Sequence, residues 1–306
     1  MKKYLLLFII FFLTKIVRAQ EQPTYTQYMF NQQTFNPAYT GTWETLGFTL
    51  INRSQWIKFP KYPQTNDLSI QSPIFNLNSA VGLNVSNNRI GLENRTGIFG
   101  DYSYKIKLND NGLNLRMGLK AGISIYNNNL TDYRIVDTND PAYNNNIGND
   151  ITPNFGVGLF LWNQKSFVGL SVPKILNQEL SVNNSDIQLT PSSTILYLTA
   201  GHVYDLSSDW KLKPCVFVQM DWNSPFQYDV SANFLYKEFL WLGAMYRLGD
   251  AIGAIVQINV KNDFRIGYAY DLTISNMSSH QEGVHEILLT FEINTMKVHY
   301  QSPRHF

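Results

Sequence analysis

Between about residues 44 and 294, apolar and polar side chains alternate in short runs separated by Asn, Gly, Asp and Ser, and almost no stretch repeats at the 3.6-residue helical period. The clearest run is 112–126. Leu113, Leu115, Met117, Leu119, Ala121, Ile123 and Ile125 fall on one side, and Asn114, Arg116, Gly118, Lys120, Gly122 and Ser124 on the other. Successive side chains of a strand point to opposite faces, so this is a strand with one oily and one wet face. The same split recurs in 98–108, 210–222, 228–236 and 264–272. Across these segments the charges Asp101, Lys105, Lys107, Arg116, Lys120, Lys211, Lys213, Asp221, Asp229, Arg265 and Asp271 all take the wet parity.

A soluble β-sandwich alternates too, with its oily face turned inward. Three features favour a membrane barrel instead. The wet face is rich in Gly, Ser and Asn, which suits a crowded lumen. Tyr and Trp lie toward strand ends on the oily face, as interfacial girdles do. Trp210 and Trp222 share a face at a spacing that, for a tilted strand, spans roughly 30 Å of height. The connections are the strongest feature. Strands are expected near 44–54, 64–75, 79–87, 94–108, 112–126, 152–162, 165–173, 193–206, 209–222, 226–237, 239–248, 251–260, 263–274 and 284–294. That makes fourteen, an even number, with tight turns after even strands and mostly longer loops after odd ones. Gly249-Asp250 and the turn near Pro225 depart from this rule. The fold class is therefore all-β: an antiparallel transmembrane barrel of the outer membrane, about fourteen strands, with long outer loops and short periplasmic turns. His202, on the oily parity, and Pro214, inside a strand, fit the pattern poorly.

The start of the chain sets the compartment. Met1-Lys2-Lys3, the apolar run Tyr4–Leu13 and the exit Val17-Arg18-Ala19 form a secretory leader, and the run is too short to span a membrane as a helix. The expected organisation is a cleaved signal peptide at 1–19, an N-terminal periplasmic or lumen segment at 20–43, the barrel at 44–294 and a tail at 295–306. Lys2, Lys3, Lys15 and Arg18 lie in the leader, which leaves 20 basic residues against 23 acids and a net charge of −3. No nucleic-acid partner is expected, because phosphate binding needs a concentrated positive excess. Cys215 is the single cysteine, so no internal disulfide staples the fold.

Catalytic chemistry is not legible. G-x-S-x-G, H-E-x-x-H, a Walker loop and C-x-x-C are all missing. His202, His280, His285, His299 and His305 have no ligand-like spacing, and no metal or cofactor is expected. Asp137, Asp140 and Asp150 lack the order of a calcium loop and suit a solvated outer loop. Ser278, Ser279 and His280 share a polar loop without a triad signature, so no enzyme is expected.

Several motifs resemble those of one family. Gln27-Tyr28-Met29-Phe30-Asn31, Asn36-Pro37-Ala38-Tyr39-Thr40-Gly41 and Arg53-Ser54-Gln55-Trp56 come first. Asn88-Arg89-Ile90-Gly91, Pro153-Asn154-Phe155-Gly156 and Val168–Pro173 follow, then Trp241–Gly253, Arg265–Asp271 and His285-Glu286-Ile287. In this order they resemble the PorP/SprF family of Bacteroidetes type IX secretion membrane proteins, over nearly the whole chain after the leader. The resemblance implies an outer-membrane barrel, set in lipid, that works with the secretion and gliding apparatus and helps deliver or anchor a secreted surface protein such as an adhesin. The alternative is a passive diffusion porin. For Arg53, Gln55, Arg247 and Asp250 two readings stay open, a partner or plug contact and a satisfied lumen or turn network. Gly249-Asp250 is also plain turn chemistry. The segment from Gln20 to Trp43 is too polar to cross lipid and too aromatic to hang free, so it is expected in the lumen or at the periplasmic rim.

Overall fold

The computed structural model describes residues 24–74, 78–110, 112–132, 146–177, 180–181, 188–189, 194–221, 225–260, 263–275, 278 and 281–293. The leader, Trp222, Asp137, Asp140, Ser279, His280, His299, His305 and the tail lie outside the described residues.

The alternation becomes fourteen barrel strands: β1 Leu46–Gln55, β2 Gln64–Ile74, β3 Ser79–Ile90, β4 Glu93–Lys107, β5 Asn114–Asn128, β6 Ile147–Trp162, β7 Ser166–Val172, β8 Ile195–His202, β9 Trp210–Asp221, β10 Gln227–Tyr236, β11 Leu240–Arg247, β12 Ala251–Val260, β13 Phe264–Thr273 and β14 Val284–Ile293. Each pairs antiparallel with its sequence neighbours, and β1 closes on β14 from Leu46↔Ile293 to Gln55↔Val284. Closure leaves no exposed sheet edge around the main ring, as a bilayer demands of a spanning sheet. Tyr204–Asp205 continues the line of β8 after a break at Val203, and Leu180–Ser181 pairs with Gln188–Leu189 as a separate short hairpin.

The parity places the oily face outward. Leu119, Phe155 and Leu272 are 59%, 54% and 55% exposed, whereas Arg116, Asp229, Asp271 and Glu286 are each at 0%. A soluble sandwich would invert this. Leu119→Arg is therefore expected to cost about 2–4 kcal/mol in a denaturant titration of the barrel folded in lipid vesicles, and a loss below about 1 kcal/mol would remove Leu119 from the mid-membrane face.

Some expectations need adjustment. The inward face is not uniformly wet, because Ile51, Phe160, Phe167, Phe217, Leu235, Trp241 and Leu288 are also buried there. β6 starts at Ile147 rather than 152, since a register shift between Tyr126 and Asn128 lets the β5–β6 pair run on. Only Val157–Trp162 of β6 pair with β7, so from Ile147 to Gly156 the β6 ladder runs to β5, with one further backbone bond in which the Phe155 carbonyl accepts from Ile175 N–H at 2.9 Å. Pro153 sits in that stretch, and proline lacks the donor that a two-sided ladder needs. The outer connection expected over 88–93 is a two-residue turn, Gly91-Leu92, with Gly91 at φ 62°. Pro214 does not interrupt β9, which pairs with β10 straight through Pro214↔Ala232. His202, half-buried, meets Ser166 Oγ through Nδ1 at 2.7 Å, and its ring lies tilted against that of Tyr204.

Candidate functional site

Thr24 to Trp43 does not join the wall. It runs inside the barrel as a strap built from three single-turn 3-10 helices, Tyr28–Phe30, Gln32–Thr34 and Pro37–Tyr39. Short turns of this kind suit a chain that must bend repeatedly in a narrow space. Tyr28, Met29, Ala38 and Tyr39 are almost fully buried, as are Thr26, Gln27, Gln32, Asn36 and Thr40.

At the barrel end that carries the long loops, a charged cluster grips the strap. Arg53 Nη1 donates to Glu286 Oε2 at 3.0 Å and Arg53 Nη2 to Asp271 Oδ2 at 3.1 Å. Thr26 donates its backbone N–H to Glu286 at 2.9 Å and its hydroxyl to Asp271 at 2.7 Å, while accepting from Arg53 at 2.8 Å. Gln27 N–H donates to the second Glu286 oxygen at 2.9 Å, and the Tyr25 hydroxyl donates to Asp67. Arg247 extends the cluster with a two-point contact to Asp229 (2.9 Å at the closest) and approaches Asp271 at 3.6 Å. Buried charges persist when paired and hydrogen-bonded, and here a strap residue completes the set.

The middle of the strap packs on aromatic wall residues. Tyr28 and Phe35 meet Phe217, Phe30 meets Trp241, and Tyr39 meets Phe160 edge-on. Lys213 donates to the Met29 carbonyl at 3.3 Å and sits over the rings of Phe30, Phe167 and Trp241. Asn36 caps the third helix through Ala38 N–H (2.9 Å), and its amide donates to the Leu159 carbonyl on β6. Pro37 starts that helix, where its missing N–H costs nothing. A side chain at Gly118 would overlap the backbone of Pro37 and Ala38, and one at Gly158 would overlap Asn36. Toward the short-turn end, Arg116 and Ser103 both donate to the Thr40 carbonyl (3.1 and 2.6 Å), and Gly41 N–H donates to Gln71.

The residues singled out from sequence divide accordingly. Asp101 pairs with Lys120 at 2.9 Å and accepts from Gln33 of the strap; Arg116, Asp271, Asn36, Pro37 and Arg53 belong to the strap–wall contact, and Arg247 with Asp229 extends its charged cluster along the wall. Lys105 pairs with Glu44 at 2.7 Å, Lys211 with Glu238, and Arg265 with Glu292 while lying over Trp43, all nearer the short-turn rim. Lys107, expected on the wet face, is largely exposed and pairs with Asp110, because it ends β4 beyond the enclosed wall. Gln55 and Trp56 shape the loop end: Gln55 N–H donates to Pro63, and Trp56, at φ 58°, donates to Gly283. Gly249 takes φ 73°, and the Asp250 carbonyl accepts from Ile274. Trp210 is 39% exposed beside Tyr236 at the short-turn end.

Sequence reasoning passed over Thr26, Gln27, Lys213 and Glu286 as site residues. Glu286 was findable, since it shares inward parity with Val284 and Leu288. The strap partners carry no periodic signal at all. Near the loop end Lys174 points over Phe99, and burial, helped by Arg95 and Lys120, lowers its ammonium to about 8. Among the described residues no three His, Cys, Asp or Glu side chains gather as metal ligands would.

The arrangement is suited to holding a segment in place. The sequence profile described as "Type IX secretion system membrane protein PorP/SprF" matches residues 17–291. No curated protein matches the chain. Among solved structures, the fold is similar to one titled "CymD monoaromatic hydrocarbon channel", at 12% identity and TM-score 0.51 over 85% of this chain and 91% of that one. It is also similar to the Pseudomonas putida toluene transporter TodX, at 10% identity and TM-score 0.50 over 88% and 95%. At such identities the likeness concerns the barrel fold.

Proposed function

This chain belongs to the PorP/SprF family of type IX secretion system membrane proteins, and on that premise we propose that it is a non-catalytic, self-plugged outer-membrane component that helps deliver or anchor a secreted surface protein such as an adhesin. In this reading the leader is cleaved after Ala19 or Gln20, the short turns face the periplasm and the long loops face the cell exterior. The observation that carries it is the strap: a lumen occupied from Tyr25 to Trp43 by bonded chain suits a docking or anchoring barrel better than a diffusion pore. Partners would be other secretion components and the surface protein itself, met at the loops.

The porin reading draws support from the channels whose fold this barrel shares. Affinity purification of the tagged protein from its native host, under mild detergent, separates the two. The anchoring reading expects secretion components or a secreted protein's C-terminal domain in stoichiometric yield, together with loss of that surface protein from cells when this gene is deleted. Purification as a lone barrel, with the surface proteome unchanged on deletion, would favour the pore.

A further inference from the structure

The strap has a direction. Tyr25, Thr26 and Gln27 bond to Asp67, Asp271 and Glu286, which stand near the long-loop ends of β2, β13 and β14, beside Arg53 at the same end of β1. Thr40 and Gly41 bond to Arg116, Ser103 and Gln71, farther toward the short-turn ends. Glu44 pairs with Lys105, and Thr45 donates to Glu292, at that rim. The chain therefore descends the lumen from the long-loop mouth to the short-turn mouth and turns directly into β1 at Leu46. An N-terminal segment that merely tucked in from the periplasm would have both its first and its last residues at the short-turn rim, because β1 begins there.

We infer that the strap is threaded through the whole barrel, so that its amino-terminal end opens at the cell surface while its other end is fixed at the periplasmic rim by β1. The assignment of the two mouths to surface and periplasm rests on the proposed function above, but the threading does not. Two features hold the outer end. The Arg53–Asp271–Glu286 cluster binds the strap backbone at Thr26 and Gln27, and the Tyr25–Asp67 contact fixes the residue before them. The strap is also enclosed by a wall that closes only when β1 pairs with β14, three residues after Trp43 leads into β1. A functional consequence is that the Tyr25–Gln27 end of the strap stands on the face where a surface protein would be received.

The test compares three cysteine reporters in full-length protein in the native host, with a polyethylene-glycol maleimide too bulky to cross the outer membrane. One carries a Gly-Ser-Cys-Gly-Ser insert immediately ahead of Thr24. The others are Lys58→Cys in the first long loop and Asp110→Cys in a short turn, both at well-exposed positions. Wild type, whose Cys215 is buried, is the blank. On intact cells the insert should label to the same extent as Lys58→Cys, with Asp110→Cys at the blank level until the envelope is opened. An unlabelled insert in cells where Lys58→Cys labels would overturn the threading. If Asp110→Cys labelled and Lys58→Cys did not, the assignment of the mouths would be wrong, and threading would still require the insert to follow Lys58→Cys.

Discussion

Gly118→Arg is expected to expel the strap from an otherwise intact barrel. Gly118 stands on β5 between Ser103 of β4 and Gly158 of β6, paired on both sides, so the wall there has little freedom to retreat. Any side chain at this position runs into the backbone of Pro37 and Ala38. The strap, held by side-chain contacts and single helical turns, is the element that yields. A protease added to purified barrels should leave the wild-type strap uncut and cleave it rapidly in the variant, while the outward face keeps the barrel in the membrane. Gly118→Ala should do the same to a smaller degree. A strap that stays protected in Gly118→Arg would show that it does not lie against β5. Sequence parity alone frees this substitution from the lipid penalty at Leu119 and leaves it to crowd the interior; the structure identifies Pro37 and Ala38 of the strap as what it crowds.

Arg53→Ala should produce the second large effect. Its guanidinium neutralises Asp271 and Glu286 and braces Thr26, all without water contact. Removing one partner of a buried ion pair leaves uncompensated charge and typically costs about 3–5 kcal/mol. Arg247, near Asp271, offsets part of this. We expect a lower denaturant midpoint for the barrel in lipid together with faster proteolysis between Tyr25 and Phe30. Adding Glu286→Gln should recover part of the loss, because it removes one of the stranded charges. An unchanged midpoint in the single variant would mean that the cluster is solvated and does not hold the strap.

The barrel was legible because two of its signals are strictly periodic. Alternation at Leu113 to Ile125 fixes which side of β5 meets lipid whatever the neighbours, and tight turns such as Ser207-Ser208 set strand order. Boundaries drifted where bulges and edges decide them, as at Ile147 and Ile90. The site was only half legible. Polar composition and aromatic density kept Gln20 to Trp43 out of lipid and out of solvent, yet nothing in one sequence pairs Thr26 with residues 245 and 260 positions away. The inward aromatic residues misled for a related reason. Phe217 and Trp241 occupy the wet parity because their partners, Tyr28, Phe30 and Phe35, arrive from a segment that has no strand period of its own.

Conductance in planar lipid bilayers tests the self-plugged barrel most directly. Wild-type protein should insert and remain essentially silent, while a variant lacking residues 24–42 should carry large, steady ion currents through the emptied lumen. Steady currents of equal size from the wild type and the deletion variant would contradict the account.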